Sequence, residues 1–137
     1  MFELFDHTAD LGIRVRSDSL NGLFHDAAAA LTHCLVGRPD SIQTTTELTC
    51  ELDATDLEYL FFDWLSELLY RFDADGFAVA DCRVDVDGTS LQATLRGEPF
   101  DPARHEYSHE VKAITYHGLR VEQDSSGHWL GEVIIDI

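Results

Sequence analysis

The chain has 137 residues, enough for one domain spanning 1–137 with a core that needs no covalent staples. An apolar content of 45% excludes a disordered acidic tail, and 26 acidic against 9 basic residues leave too few cations for an evident phosphate-binding stripe, so direct binding of nucleic acid is not expected. The formal charge of −17 with a single lysine, Lys112, fits adaptation of the surface to salt better than a local cation site, which needs only a few carboxylates. No run approaches about 18 consecutive apolar residues. The start "MFELFDHTAD" lacks a basic leader region, so a soluble, cytoplasmic protein with no membrane partner is expected.

In chain order, Asp6, His7 and Asp10 crowd a turn ahead of the stretch "LGIRVR", where Leu11, Ile13 and Val15 alternate with Gly12, Arg14 and Arg16 as in a half-buried strand. Asp18 and Ser19 offer caps for a helix over about 20–36, whose stripe is Leu20, Leu23, Phe24, Ala27, Leu31 and Leu35. Gly37 and Pro39 stop it. A threonine-rich strand at about 44–53 follows, and "TDLE" at 55–58 reads as a capping box opening the strongest helix, ended by "DADG" at 73–76. Leu57, Leu60, Phe61, Trp64, Leu65, Leu68, Leu69 and Phe72 recur there at helical spacing, which marks the aromatics as core rather than as a cofactor box.

The remainder reads as strand. "FAVADCRVDV" and "SLQATLRG" flank a hairpin turn at Asp87-Gly88, "EPFDPARHEYSH" is a polar connection, and "EVKAITYHGLRVEQ" pairs with "HWLGEVIIDI" around "DSSG". Two helices followed by many strands predict an α+β protein, with the helices on one face of a mainly antiparallel sheet.

Few residues invite chemistry. Cys34, Cys50 and Cys82 are scattered and odd in number, which predicts reduced, buried thiols. His105-x-x-x-His109 and the other histidines lack H-E-x-x-H or Cys/His spacing, so catalytic zinc is unsupported, as are nucleotide and acyl-transfer motifs. Asp10 either closes an Asx turn or presents its carboxylate to a cation with His7 nearby. In "EVIIDI", Val133, Ile135 and Ile137 share one face and Glu132, Ile134 and Asp136 the other. Asp136, set in an apolar run, needs a cation, hydrogen-bond donors or a proton. The carboxyl end at Ile137 adjoins it, and such an oxygen set suits Ca²⁺ or Mg²⁺ better than zinc. Lys112 shares a face with Ile114 and Tyr116. It either snorkels at a sheet edge or pairs with Asp10, Asp136, a phosphate or a partner's acid. Lys112 and Asp136 are placed toward opposite ends of the C-terminal hairpin, with register undecided.

Three segments, "HTADLGI", "EVKAITYHGL" and "VIIDI", with "GEPFDPARH" ahead of the second and two helices between the first and second, together resemble the archease family over nearly the whole chain. The resemblance implies an SHS2-like α+β fold with an insertion. It implies a protein cofactor rather than an enzyme, with no catalytic residues of its own. That cofactor serves the RtcB-type tRNA-splicing ligase, promoting its guanylylation and multiple turnover and broadening its nucleotide use. An alternative role within the family is chaperone or specificity modulator of an RNA methyltransferase. By the same resemblance, Asp10, Asp136 and Ile137 bind a divalent cation, Ca²⁺ with Mg²⁺ or Mn²⁺ as substitutes. Lys112 acts in ligase activation with Asp10 and Asp136, and His7 supports the cation site.

Overall fold

The computed structural model describes residues 1–7 and 10–137, and of His7 the backbone alone. Helix α1 (Leu20–Leu35) starts where Ser19 turns extended and its hydroxyl accepts a hydrogen bond from the Gly22 N–H at 3.0 Å. That bond satisfies one of the donors a helix N-terminus leaves open. Helix α2 (Leu57–Asp75) is capped by Asp56, whose carboxylate accepts from the Tyr59 N–H at 2.8 Å. The cap thus sits one residue beyond the Thr55 of the expected box, because a carboxylate also opposes the positive end of the helix dipole. Gly76, in the left-handed conformation at φ 63°, ends α2.

The predicted stripes of both helices form the core. Leu60, Phe61, Trp64 and Leu65 are fully buried, as are Leu23, Phe24 and Ala27. Phe24 and Phe61 meet edge to face at 5.3 Å, and the Trp64 indole donates to the Phe24 carbonyl at 2.9 Å, which fixes α2 on α1. Cys34, Cys50 and Cys82 are buried and unbonded to one another; burial pushes the Cys34 and Cys82 thiols up to about 12.

The strands divide into two sheets rather than the single one expected. Strands β3 (Thr46–Asp53), β4 (Phe77–Asp87) and β5 (Ser90–Pro99) make an antiparallel sheet in the order β3-β5-β4. The β4–β5 loop is Gly88-Thr89, one residue later than expected, with Gly88 at the φ of +63° that a two-residue hairpin loop favours. The second sheet holds β1 (Phe2–His7), β2 (Asp10–Ser17), β6 (Ala113–Ile114), β7 (Arg120–Gln123) and β8 (Trp129–Asp136), ordered β1-β2-β8-β6 with β7 also on β8. Strand β1 places Asp6 and His7 in the ladder opposite Leu11 and Asp10, so they are not turn residues; the turn itself, at Thr8 and Ala9, lies outside the described residues.

The expected long C-terminal strand is broken. After β6 the chain leaves the sheet at Thr115 and rejoins it at Arg120. Both the amide and the hydroxyl of Thr115 donate to the Ile134 carbonyl, at 3.0 and 2.8 Å, and Gly118 takes φ +66° to turn the excursion. Tyr116 is thereby carried onto α2, where its ring stacks on Phe62 at 3.9 Å.

The "polar connection" before β6 is instead an anchored segment. Glu98 is 6% exposed and His105 is fully buried. Glu98 accepts two hydrogen bonds from the Arg104 guanidinium (2.6 and 2.7 Å), one from the Gln43 N–H (2.6 Å) and one from His105 Nε2 (3.0 Å). The His105 Nδ1 accepts from the Asp101 N–H at 2.8 Å, so Nε2 carries the proton it donates. Arg104 foremost, then the Gln43 amide and His105, hold the Glu98 carboxyl far below the usual range despite its burial. Beyond this cluster, Glu106 adopts φ +63°, and backbone bonds tie residues 105–109 to the end of α1, among them His109 N–H to the Cys34 carbonyl at 2.8 Å. These ties aim the segment that carries Lys112.

A carboxyl whose folded pKa is depressed contributes stability that is complete above its unfolded pKa, about 4.3, and is lost as pH falls toward the folded value. Glu98→Gln is therefore expected to lower Tm at pH 7. The difference from the parent should shrink as pH drops below about 4. Thermal melts at stepped pH check this, and a pH-independent difference would contradict it.

Candidate functional site

The outward face of the β1-β2-β8 sheet is organised in rows by its register. One row reads Glu3, Arg14, Glu132, Arg120 across four strands. Arg14 reaches Glu3 at 3.1 Å and Glu132 at 3.0 Å, and Arg120 reaches Glu132 at 3.0 Å. Burial raises the Glu132 carboxyl, but its two arginine partners outweigh that and hold it below the usual range. The next row is apolar. Phe5 lies over Gly12, where a β-carbon would come within 2.1 Å of the ring, and beside it Ile134 is 4% exposed. Arg14 covers the Phe5 ring at 4.5 Å.

The third row runs His7, Asp10, Asp136, Ala113. Asp10 and Asp136 are direct cross-strand partners, both half-buried. Their Cα atoms are thus about 4.5–5.5 Å apart. The structure brings together what the sequence placed at opposite ends of a hairpin: the Lys112 N–H donates to the Asp136 carbonyl at 2.8 Å. The Lys112 side chain is exposed, and among the described residues its ammonium forms no ion pair with Asp10 or Asp136. Ile137, the residue after Asp136, is half-buried and packs on the core.

Like charges directly opposed on a ladder cost stability, whereas the Glu3–Arg120 row two steps away alternates in sign. The side-chain donors described in the row of Asp10 and Asp136 are carboxylate oxygens, of the kind that Ca²⁺ or Mg²⁺ takes. Among the described residues no group of three or more His, Cys, Asp or Glu side chains is arranged around one metal position.

Sequence reasoning missed the alternating ion-pair row, because Glu3, Arg14, Glu132 and Arg120 become neighbours only through register. It also missed the anchoring group of Glu98, Arg104 and His105, whose signal was a glutamate followed at six and seven residues by arginine and histidine.

The fold defines a class: small α+β proteins with helices packed on mainly antiparallel sheets. The model of the archease protein family matches residues 2–137. A Pyrococcus furiosus "Protein archease" is 38% identical, with 99% of this chain and 98% of that one covered; one from Methanopyrus kandleri is 36% identical, with 99% of each covered. The solution structure of Methanobacterium thermoautotrophicum protein 1598 superposes with a TM-score of 0.82 at 30% identity, covering 99% of this chain and 98% of the other. The chain belongs to the archease family.

Removing one charge from the row should relieve its repulsion when no cation is supplied. Asp136→Asn in EDTA is expected to be as stable as the parent or more so, by about 0.2–1 kcal/mol. Urea unfolding decides it, and a clear loss of stability would contradict the repulsion.

Proposed function

We propose that the chain is an accessory protein that activates an RtcB-type tRNA-splicing ligase in the cytoplasm, promoting guanylylation of the ligase and its multiple turnover and broadening its nucleotide use. The observation that carries this reading is the in-register pair Asp10 and Asp136, with the exposed Lys112 hydrogen-bonded through its backbone to the same strand.

Asp10, Asp136 and the main-chain oxygens of Ile137 would hold a divalent cation, Ca²⁺ first among the candidates, with His7 in support. When bound, it supplies positive charge against the two carboxylates and against phosphoryl oxygen brought by the partner. The row's position at the end of three strands fixes both carboxylates on rigid backbone. The Lys112 ammonium, exposed and outside ion-pair reach of those carboxylates, points to a role on the partner: it neutralises a phosphate in the ligase's site. The backbone bond from Lys112 to Asp136 makes the cation row and the lysine one rigid unit, so that docking delivers both.

Two measurements test this. A ligase turnover assay with Lys112→Ala and Asp136→Ala should show activation reduced about 10²-fold, and undiminished activation by both would sink the proposal. Separately, Ca²⁺ at about 100 times its Kd should stabilise the parent by about 2.7 kcal/mol. In that titration Asp10→Asn should remove most of the shift; a shift that survives places the cation elsewhere.

A further inference from the structure

The chain's four tyrosines, Tyr59, Tyr70, Tyr107 and Tyr116, are all exposed, at 47% to 65%. They are not scattered. On α2, Tyr59, Phe62, Asp63, Ser66, Tyr70 and Asp73 follow helical spacing on the side opposite the buried Leu60 and Trp64. That face is about 21 Å long.

Residues 107–116 run back along it. At one end Tyr107, His109 and Val111 share a cleft of about 400 Å³ with Phe72 and Asp73. At the other, Tyr116 stacks on Phe62 at 3.9 Å and meets Tyr59 edge-on at 5.7 Å. Lys112 lies between these two anchoring points in the chain. The four tyrosines and the one lysine therefore belong to a single surface, next to the Asp10–Asp136 row.

Apart from Lys112, its fixed charge is negative. Asp63, Asp73 and Glu110 lie on it, while the only basic residue of α2, Arg71, is bound on the flank by Glu67 and Asp75 at 2.9 and 3.7 Å. Burial raises the Asp63 carboxyl above its ordinary value; burial and then Glu110 raise that of Asp73. Carboxylates partly stripped of water gain most from a cation placed on them. Tyrosines already stacked on their neighbours lose little conformational freedom when a partner arrives.

We propose that this face, α2's outward side with residues 107–116, is where the partner protein docks through an arginine- and lysine-rich surface. Tyrosine rings receive guanidinium groups over their faces, and the flanking carboxylates accept charge-assisted hydrogen bonds from them. The same carboxylates repel phosphate, so the occupant is a basic polypeptide and not RNA. The proposal rests on the accessory-factor reading and supplies its docking surface.

The experiment measures binding of the full chain to the purified ligase by biolayer interferometry at low and physiological salt. The double variant Tyr59→Ser/Tyr70→Ser should bind about tenfold more weakly or worse, and keep the parent's Ca²⁺-induced thermal shift. Glu110→Lys, at an exposed position, tests the charge independently of the rings. It should weaken binding most at low salt, where electrostatic attraction is least screened. Glu47→Gln on β3, away from the face, should bind as the parent does. Parent-like binding by both the double variant and Glu110→Lys overturns this face while leaving the ligase reading intact. Failure of the parent chain itself to bind overturns the ligase reading, and this face as its contact falls with it.

Discussion

The outward face of the five-stranded sheet depends on the register of β8 against β2. Asp10 opposite Asp136, Gly12 opposite Ile134 and Arg14 opposite Glu132 form one parity; Leu11 opposite Ile135 and Ile13 opposite Val133 form the other. A slip of one residue would turn the fully buried Ile13, Val133 and Ile135 to solvent and the charged rows into the core. The hydrophobic pattern thus enforces the alignment, and the two acids meet as its by-product. Two further features hold the register. Arg14 and Arg120 clamp Glu132 from both sides, and Phe5 occupies the space over Gly12 that any side chain there would need.

That alignment is only as good as the segment delivered to the other edge of β8. The buried Glu98, clasped by Arg104 and His105, fixes the connection after β5, and backbone bonds tie residues 105–109 to α1. The chain then arrives with Lys112 bonded to Asp136 and Thr115 bonded to Ile134. An ion cluster deep in one part of the molecule therefore positions a lysine on its surface, through rigid backbone rather than direct contact.

Periodicity revealed what depends on local pattern. Both helices, their buried stripes, the β7–β8 turn at Asp124–Gly127 and the parity of Glu132, Ile134 and Asp136 follow from spacing alone. Features set by distant partners did not show. Strand β1 has weak alternation of its own and is defined by pairing with β2. The break between β6 and β7 arises because Thr115 spends both its donors on Ile134 and Tyr116 finds Phe62. Of the candidate site, Asp10, Asp136 and Lys112 could be nominated from the sequence, but their adjacency required the register. The side chain of His7 lies outside the description.

The interruption between β6 and β7 also bears on solubility. Strand β8 carries "VII", the kind of apolar, β-branched run that templates aggregation when its backbone is open. It is closed along one side by β2 and along the other by β7, the Thr115 bonds and β6. On that side the sheet then ends in strands of four residues and two, too short to recruit another chain. A single continuous strand would have covered β8 equally well, but it would have left a long edge of its own. The break in pairing works as protection against edge-to-edge association, achieved by shortening an edge where other proteins add charge to one.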